Sequence, residues 1–222
     1  MGNSRALLLD LDGTLVDSLP DLLAVLNEVL GALGVPALSA AQAAPMVGDG
    51  TLKFVERALA ARFLGSDIVK SAQARFLALY EARPARLSRP YPGVPEILER
   101  LRAQDWRCAV CTNKPERATH LLLDALDLTR FFGTIVTGDS LPQKKPDPAP
   151  LRAALAALKV PPARAVMVGD HANDLRAASA AGVPAVFARY GYGVLSPDLP
   201  LPIATIDAFT ELPQRLATIH TH

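Results

Sequence analysis

Four apolar residues, Ala6 to Leu9, run straight into Asp10-Leu11-Asp12-Gly13-Thr14. A run of that length bounded by turn residues is the pattern of a strand buried on both faces, as in a parallel sheet covered by helices. Carboxylates at the end of such a strand are costly: two unit charges about 4 Å apart repel by roughly 4 kcal/mol at an effective dielectric of about 20. A cation or a proton must sit between them, or they must splay into water. Gly13 permits a positive φ and a tight turn that exposes backbone N–H groups. Over these residues alone, a solvated Asp-Asp-Gly turn fits as well as a built site.

The pattern after this strand is helical. Ser18 with Asp21 three residues later reads as an N-cap signal, and Leu22, Leu26, Val29 and Leu33 follow at helical spacing before Gly34. Further helices are expected over 51–63, with Leu52, Val55 and Leu59 inward, and over 67–81, with Val69, Ala72, Phe76 and Leu79 inward. No strand pattern interrupts residues 18–83, so these helices can pack on one another. Arg83 to Pro90 reads as the linker that ends the unit, its arginines (Arg83, Arg86, Arg89) either solvated or facing a substrate.

From Tyr91 the pattern alternates. Helices start near Pro92, Pro115, Pro148 and Asn173, and strands are expected over 106–112, 132–137, 163–168 and 183–188. Strands alternating with helices imply parallel pairing through right-handed crossovers. The expected fold is therefore α/β: a doubly wound parallel-sheet (Rossmann-like) core, residues 1–17 and 88–222, with a helical cap, residues 18–87, inserted after the first strand. A chain of 222 residues suits one such domain with an insertion. After Thr205-Ile206, Asp207 is expected to cap a last helix carrying Phe209, Leu212 and Leu216.

Charge and composition narrow the function. Net charge is +1 with acids and bases interspersed, which argues against a nucleic-acid partner. No apolar run reaches the length of a membrane span. Met1-Gly2-Asn3-Ser4-Arg5 runs into the first strand without a signal peptide, so a soluble cytoplasmic protein is expected. Cys108 and Cys111 fall on one strand three residues apart, pointing to opposite faces, which favours burial over redox or zinc chemistry. Nothing in the residues chooses between a monomer and a homodimer.

Ligands of parallel sheets bind beyond the carboxyl ends of the strands. Four strand ends here carry polar groups: Asp10 and Asp12; Thr112-Asn113-Lys114; Gly138-Asp139-Ser140 followed by Lys144-Lys145-Pro146-Asp147; and Gly169-Asp170-His171-Ala172-Asn173-Asp174. Asp10, Asp12, Asp170 and Asp174 form an all-oxygen set that suits Mg²⁺. Thr112, Asn113 and Lys145 offer a hydroxyl, an amide and a cation, which suit a phosphate. His171 reads as a rim residue rather than a catalyst.

Asp10-Leu11-Asp12-Gly13-Thr14-Leu15-Val16-Asp17, Thr112-Asn113, Lys145-Pro146-Asp147-Pro148 and Gly169-Asp170 with Asp174 stand in the order of four motifs, and in this the chain resembles the haloacid dehalogenase-like hydrolases. The resemblance covers nearly all of the chain up to about Tyr192, and the helical insertion is similar to that family's cap. It implies that Asp10 is a nucleophile forming an aspartyl-phosphate and that Asp12 is the general acid and then base. It also implies Mg²⁺ held by the Asp10 carboxylate, the Asp12 carbonyl and the Asp170 carboxylate, with Asp174 behind them. Thr112 and Lys145 would hold the phosphoryl oxygens, the Lys-Pro-Asp-Pro alignment favouring Lys145 over Lys144.

An acid at Asp12 points away from dehalogenation, because a halide leaving group needs no proton. Val47-Gly48-Asp49-Gly50, Tyr91-Pro92-Gly93-Val94 and Thr137-Gly138-Asp139-Ser140 look like bacterial phosphoglycolate phosphatases, from which His171-Ala172 departs. Cap residues Lys53 and Arg57 are candidates to meet a substrate carboxylate, or are simply solvated. The leading expectation is a Mg²⁺-dependent phosphatase for a small phosphate monoester, 2-phosphoglycolate first. The alternatives are a β-phosphoglucomutase-type phosphomutase, a sugar-phosphate or pyrophosphate phosphatase, and a non-catalytic binding protein.

Overall fold

A computed structural model describes residues 4 to 219; the Met1–Asn3 part of the leader reading lies outside the described residues. In chain order the elements are β1 (Arg5–Leu9), β2 (Val16–Asp17), α1 (Leu19–Ala32), α2 (Ala40–Ala43), α3 (Thr51–Ala60), α4 (Val69–Glu81), β3 (Arg89–Pro90), α5 (Val94–Ala103) and β4 (Trp106–Cys111). They continue as α6 (Glu116–Ala125), β5 (Phe132–Val136), α7 (Ala149–Leu158), β6 (Ala165–Gly169), α8 (Ala172–Ala181), β7 (Ala185–Ala188), β8 (Ala204–Ile206) and α9 (Leu212–Ile219).

Six of the strands form one parallel sheet in the order β5-β4-β1-β6-β7-β8. The opening strand is therefore central, with β4 on one side and β6 on the other. Its alternate residues feed two cores: Leu7 and Leu9 join one face with Val110 and Val168, and Ala6 and Leu8 join the other with Ala109 and Met167. Burial on both faces is why the run is continuously apolar. Cys108 and Cys111 go to opposite faces as expected, and burial pushes both thiols up to about 12.

The sixth strand, β8, is a correction: Ala204-Thr205-Ile206 extends the sheet edge, where three residues are too few for a period to register. Asp207 does not cap the last helix. It lies on the surface in a two-pronged pair with Arg189, at 2.7 and 2.8 Å.

Helices α1 to α4 pack around their own core, in which Leu26, Leu30, Phe54, Val55, Phe76 and Tyr80 are all but fully buried. Two apolar residues expected inside, Leu33 and Leu52, are exposed instead, and so is Phe63 at the expected end of a helix. Phe63 lies beyond the end of α3 at φ 57, where the chain has left the helix. Phe54 replaces Leu52 in the packed face, edge-on to Phe76 at 5.8 Å.

Two strands connect this helical unit to the sheet, and they pair with each other: β2 and β3 run antiparallel, Val16 opposite Pro90 and Asp17 opposite Arg89. Ser18 and Asp21 do not form the expected cap. Asp21 is buried at the start of α1 and accepts from Leu87 N, Ser88 N and Ser88 Oγ at 2.6–3.0 Å, so its carboxylate ties the outgoing linker to the incoming one. Arg86 and Arg89 are exposed and Arg83 pairs with Glu28, so none of the three faces the strand ends. Asp21→Ala leaves buried donors unsatisfied and should cost about 3 kcal/mol, read from urea denaturation midpoints. An unchanged midpoint would mean that the linkers hold together without it.

Candidate active site

The carboxyl ends of β1, β4 and β6 converge on one buried cluster. Asp10 follows β1, with its N–H on Val168 O at 3.0 Å, and Asp170 follows β6. Asp174 lies in the first turn of α8, where its Oδ2 accepts from His171 N at 3.0 Å. One carboxylate oxygen from each of Asp10, Asp170 and Asp174 lies within 4.8 Å of the others, and all three residues are buried. Lys145 reaches into the group, its Nζ 2.9 Å from Asp10 and 2.6 Å from Asp174.

The electrostatics follow from this count. Burial raises Asp10 well above the usual carboxylate range, the Asp174 and Asp170 charges add to the rise, and Lys145 opposes it. Burial and Asp174 lift Asp170 to about 6, against hydrogen bonds from Thr14 Oγ1 at 2.7 Å and Tyr192 N at 2.8 Å. Three carboxylates and one ammonium leave excess negative charge in a dry site. A hard divalent cation with oxygen ligands fits this donor set. Gly13 closes the wall: at φ +86, a Cβ there would stand 2.5 Å from Asp170 Oδ2.

Asp12 is held apart from this cluster. Its Oδ1 accepts from Lys114 Nζ at 3.0 Å and from Ser18 Oγ at 2.5 Å. Lys114 is buried, and its ammonium also lies over the ring of Tyr80 from α4, 4.4 Å from the centroid. Asp10, Asp12, Thr112 and Lys114 line a cavity of about 30 Å³ closed from the other side by Gly50, Thr51 and Phe54 of the helical unit. Thr112 is buried there, its Oγ1 accepting from Lys114 N at 3.2 Å.

Other candidates from the sequence are placed differently. Asn113 reaches the rim, but its amide is committed: Nδ2 donates to Gly48 O and Lys145 O, and Oδ1 accepts from Lys145 N. Its side chain fixes Lys145, and the residue lines the same cavity as Thr112. Lys53 is exposed and pairs with Glu56. Arg57 binds Met46 O and Asp49, and Asp49 in turn accepts from Asn173 Nδ2 at 2.6 Å, so Arg57 braces the 47–50 loop against the core. His171 caps α8, its Nδ1 accepting from Asn173 N at 3.3 Å. Lys144 is exposed, as the preference for Lys145 requires. Lys114 stands in the sequence among the polar strand ends, directly after Thr112-Asn113, but without an assigned role, while Thr14, Ser18 and Tyr192 carry no signal for a place in the site.

A family model described as haloacid dehalogenase-like hydrolase matches residues 7–188, which span both the sheet and the helical unit. The chain belongs to the haloacid dehalogenase-like hydrolases. Among hydrolases similar to it, a phosphoglycolate phosphatase from Rhodospirillum rubrum is 45% identical over 194 residues, 85% of this chain and 80% of that protein. A phosphoglycolate phosphatase from Cereibacter sphaeroides is 43% identical over 185 residues, 82% of this chain and 84% of that one. The crystal structure of a predicted phosphoglycolate phosphatase from Haemophilus somnus superposes with a TM-score of 0.88 at 32% identity, covering 97% of this chain and 99% of that chain. The sheet and the helical unit are thus shared with that structure over almost their whole length.

Proposed function

We propose that this chain is a Mg²⁺-dependent phosphatase of small phosphate monoesters, with 2-phosphoglycolate its first substrate. The observation that carries the reading is the pairing of Asp10 with Lys145 beside a cavity that Asp12 also lines. Asp10 attacks phosphorus, and the departing alkoxide takes a proton from Asp12. The Asp12 carboxylate then takes a proton from water, which attacks the same phosphorus, releasing phosphate and restoring Asp10. Thr112 and Lys145 hold the phosphoryl oxygens, and Asn113 keeps Lys145 in place. Asp10, Asp170 and the Asp12 carbonyl would hold Mg²⁺ with Asp174 behind them, and the bound ion offsets charge on the phosphoryl oxygens. Residues 18–87 act as the cap that excludes water. The names of the relatives support a small substrate.

A panel of phosphate esters, assayed with and without Mg²⁺, tests this. Phosphate release from 2-phosphoglycolate well above other esters, and lost on chelation, is expected. Isomerisation of a hexose phosphate with little free phosphate would favour the mutase, and no turnover of any ester would overturn the enzymatic reading. Mg²⁺ should also stabilise the protein by about 2.7 kcal/mol at a hundredfold excess over its dissociation constant, seen as a rise in Tm. Asp170→Asn should remove most of that rise; an equal rise in the variant would place the ion elsewhere.

A further inference from the structure

Tyr192, beyond the last motif, reaches both halves of the site. Its backbone N–H donates to Asp170 Oδ2 at 2.8 Å. Its hydroxyl accepts from Ser18 N at 2.8 Å and Leu19 N at 2.9 Å, and donates to Asp17 Oδ1 at 2.8 Å. One donor and two acceptor sites are all that a phenol has, so the group is saturated. The bonded amides open α1, whose own Ser18 side chain gives no cap. Ser18 Oγ is directed to Asp12 Oδ1 at 2.5 Å instead. The segment is pressed onto its support: a Cβ at Gly191 would stand 2.3 Å from the Cβ of Asp170.

We infer that Tyr192 is a positioning residue for Asp12: its hydroxyl fixes the Ser18 backbone at the entry to the helical unit, and Ser18 Oγ then aims the Asp12 carboxyl. The bracket runs from Asp170, after β6, through the side chains of Tyr192 and Ser18 to Asp12, after β1. This rests on Asp12 as the acid that serves the leaving oxygen. Loosening it should therefore matter in proportion to how much the leaving group needs a proton, whereas general structural damage would slow every ester alike. The effect is read in kcat/KM, which covers only the steps up to departure of the leaving group, because the water step that Asp12 also serves is the same for every ester.

The test compares wild type, Tyr192→Phe, Ser18→Ala, their double variant and Asp12→Ala on 2-phosphoglycolate, or the best alkyl ester of the panel, and on p-nitrophenyl phosphate. Each single variant is expected to lose about tenfold in kcat/KM on the alkyl ester and no more than about twofold to threefold in kcat/KM on p-nitrophenyl phosphate. The double variant should be little worse than either single, because the two groups act in series. Equal losses on both esters, no loss, or losses that multiply in the double variant would overturn the role of Tyr192 when Asp12→Ala itself discriminates between the esters. If Asp12→Ala lowers kcat/KM equally on both esters, the assignment of Asp12 as the acid fails, and the bracket fails with it.

Discussion

Asp10→Asn should abolish turnover, by at least about 10⁴-fold, while the protein stays folded. The amide has the shape of the carboxylate and still offers Lys145 an acceptor, but it does not attack phosphorus. Its stability should move in the opposite direction from its activity. Burial and the neighbouring Asp174 and Asp170 charges hold the Asp10 carboxyl well above the usual carboxylate range. A carboxyl whose folded pKa exceeds its unfolded one is protonated longer in the folded state, so stability falls as pH rises between the two values. Asparagine has no such proton. In chelator, Asp10→Asn should therefore resist urea at least as well as wild type, with an advantage that is larger near about pH 8 than near about pH 5. Residual turnover in a clean preparation would contradict the nucleophile; a variant less stable at the higher pH would contradict the electrostatic account.

Lys145→Met should damage stability and activity together. The ammonium is 1% exposed and lies between Asp10 and Asp174, and removing it leaves buried carboxylates facing one another. Breaking a buried pair by deleting one partner costs about 3–5 kcal/mol. The loss should shrink as pH falls and the carboxylates take up protons, and in part when Mg²⁺ supplies charge in place of the lysine. Activity should fall by about 10³-fold, because the phosphoryl oxygens lose a preorganised cation. Denaturation in chelator with and without Mg²⁺, beside steady-state assays, checks both. A variant as stable as wild type in chelator would show that the carboxylates relieve their own repulsion.

Much of this site was legible because strand ends are abrupt. Leu9 to Asp10 and Gly169 to Asp170 are steps from apolar to charged that a doubly wound sheet turns into one rim, and β1, β4 and β6 are neighbours in it. What stayed hidden depends on contacts between distant parts of the chain. Ser18 and Asp21 have the spacing of a local cap, yet one serves Asp12 and the other the 87–88 linker. Spacing cannot separate a local partner from a distant one of the same chemistry. Lys114 shows the same limit from the other side: its place after a strand puts it at the rim, but only the fold brings Asp12 and Tyr80 around it. Lys53 and Arg57 were candidates on charge alone, and their partners, Glu56 and Asp49, are themselves in the helical unit. Tyr192 carried no signal, since its role needs the entry to α1 to lie beside β6.

The central claim is that Asp10 carries the phosphoryl group during turnover. Asp12→Ala slows the water step, so the intermediate should accumulate in that variant. Quenching it during turnover of an activated ester, reducing acyl phosphates with borohydride and sequencing the peptides by mass spectrometry reads the site directly. The account predicts homoserine at position 10, absent without substrate and absent when Asp10 is also changed to Asn. Homoserine at another aspartate, or none at position 10 while phosphate is being released, would contradict it.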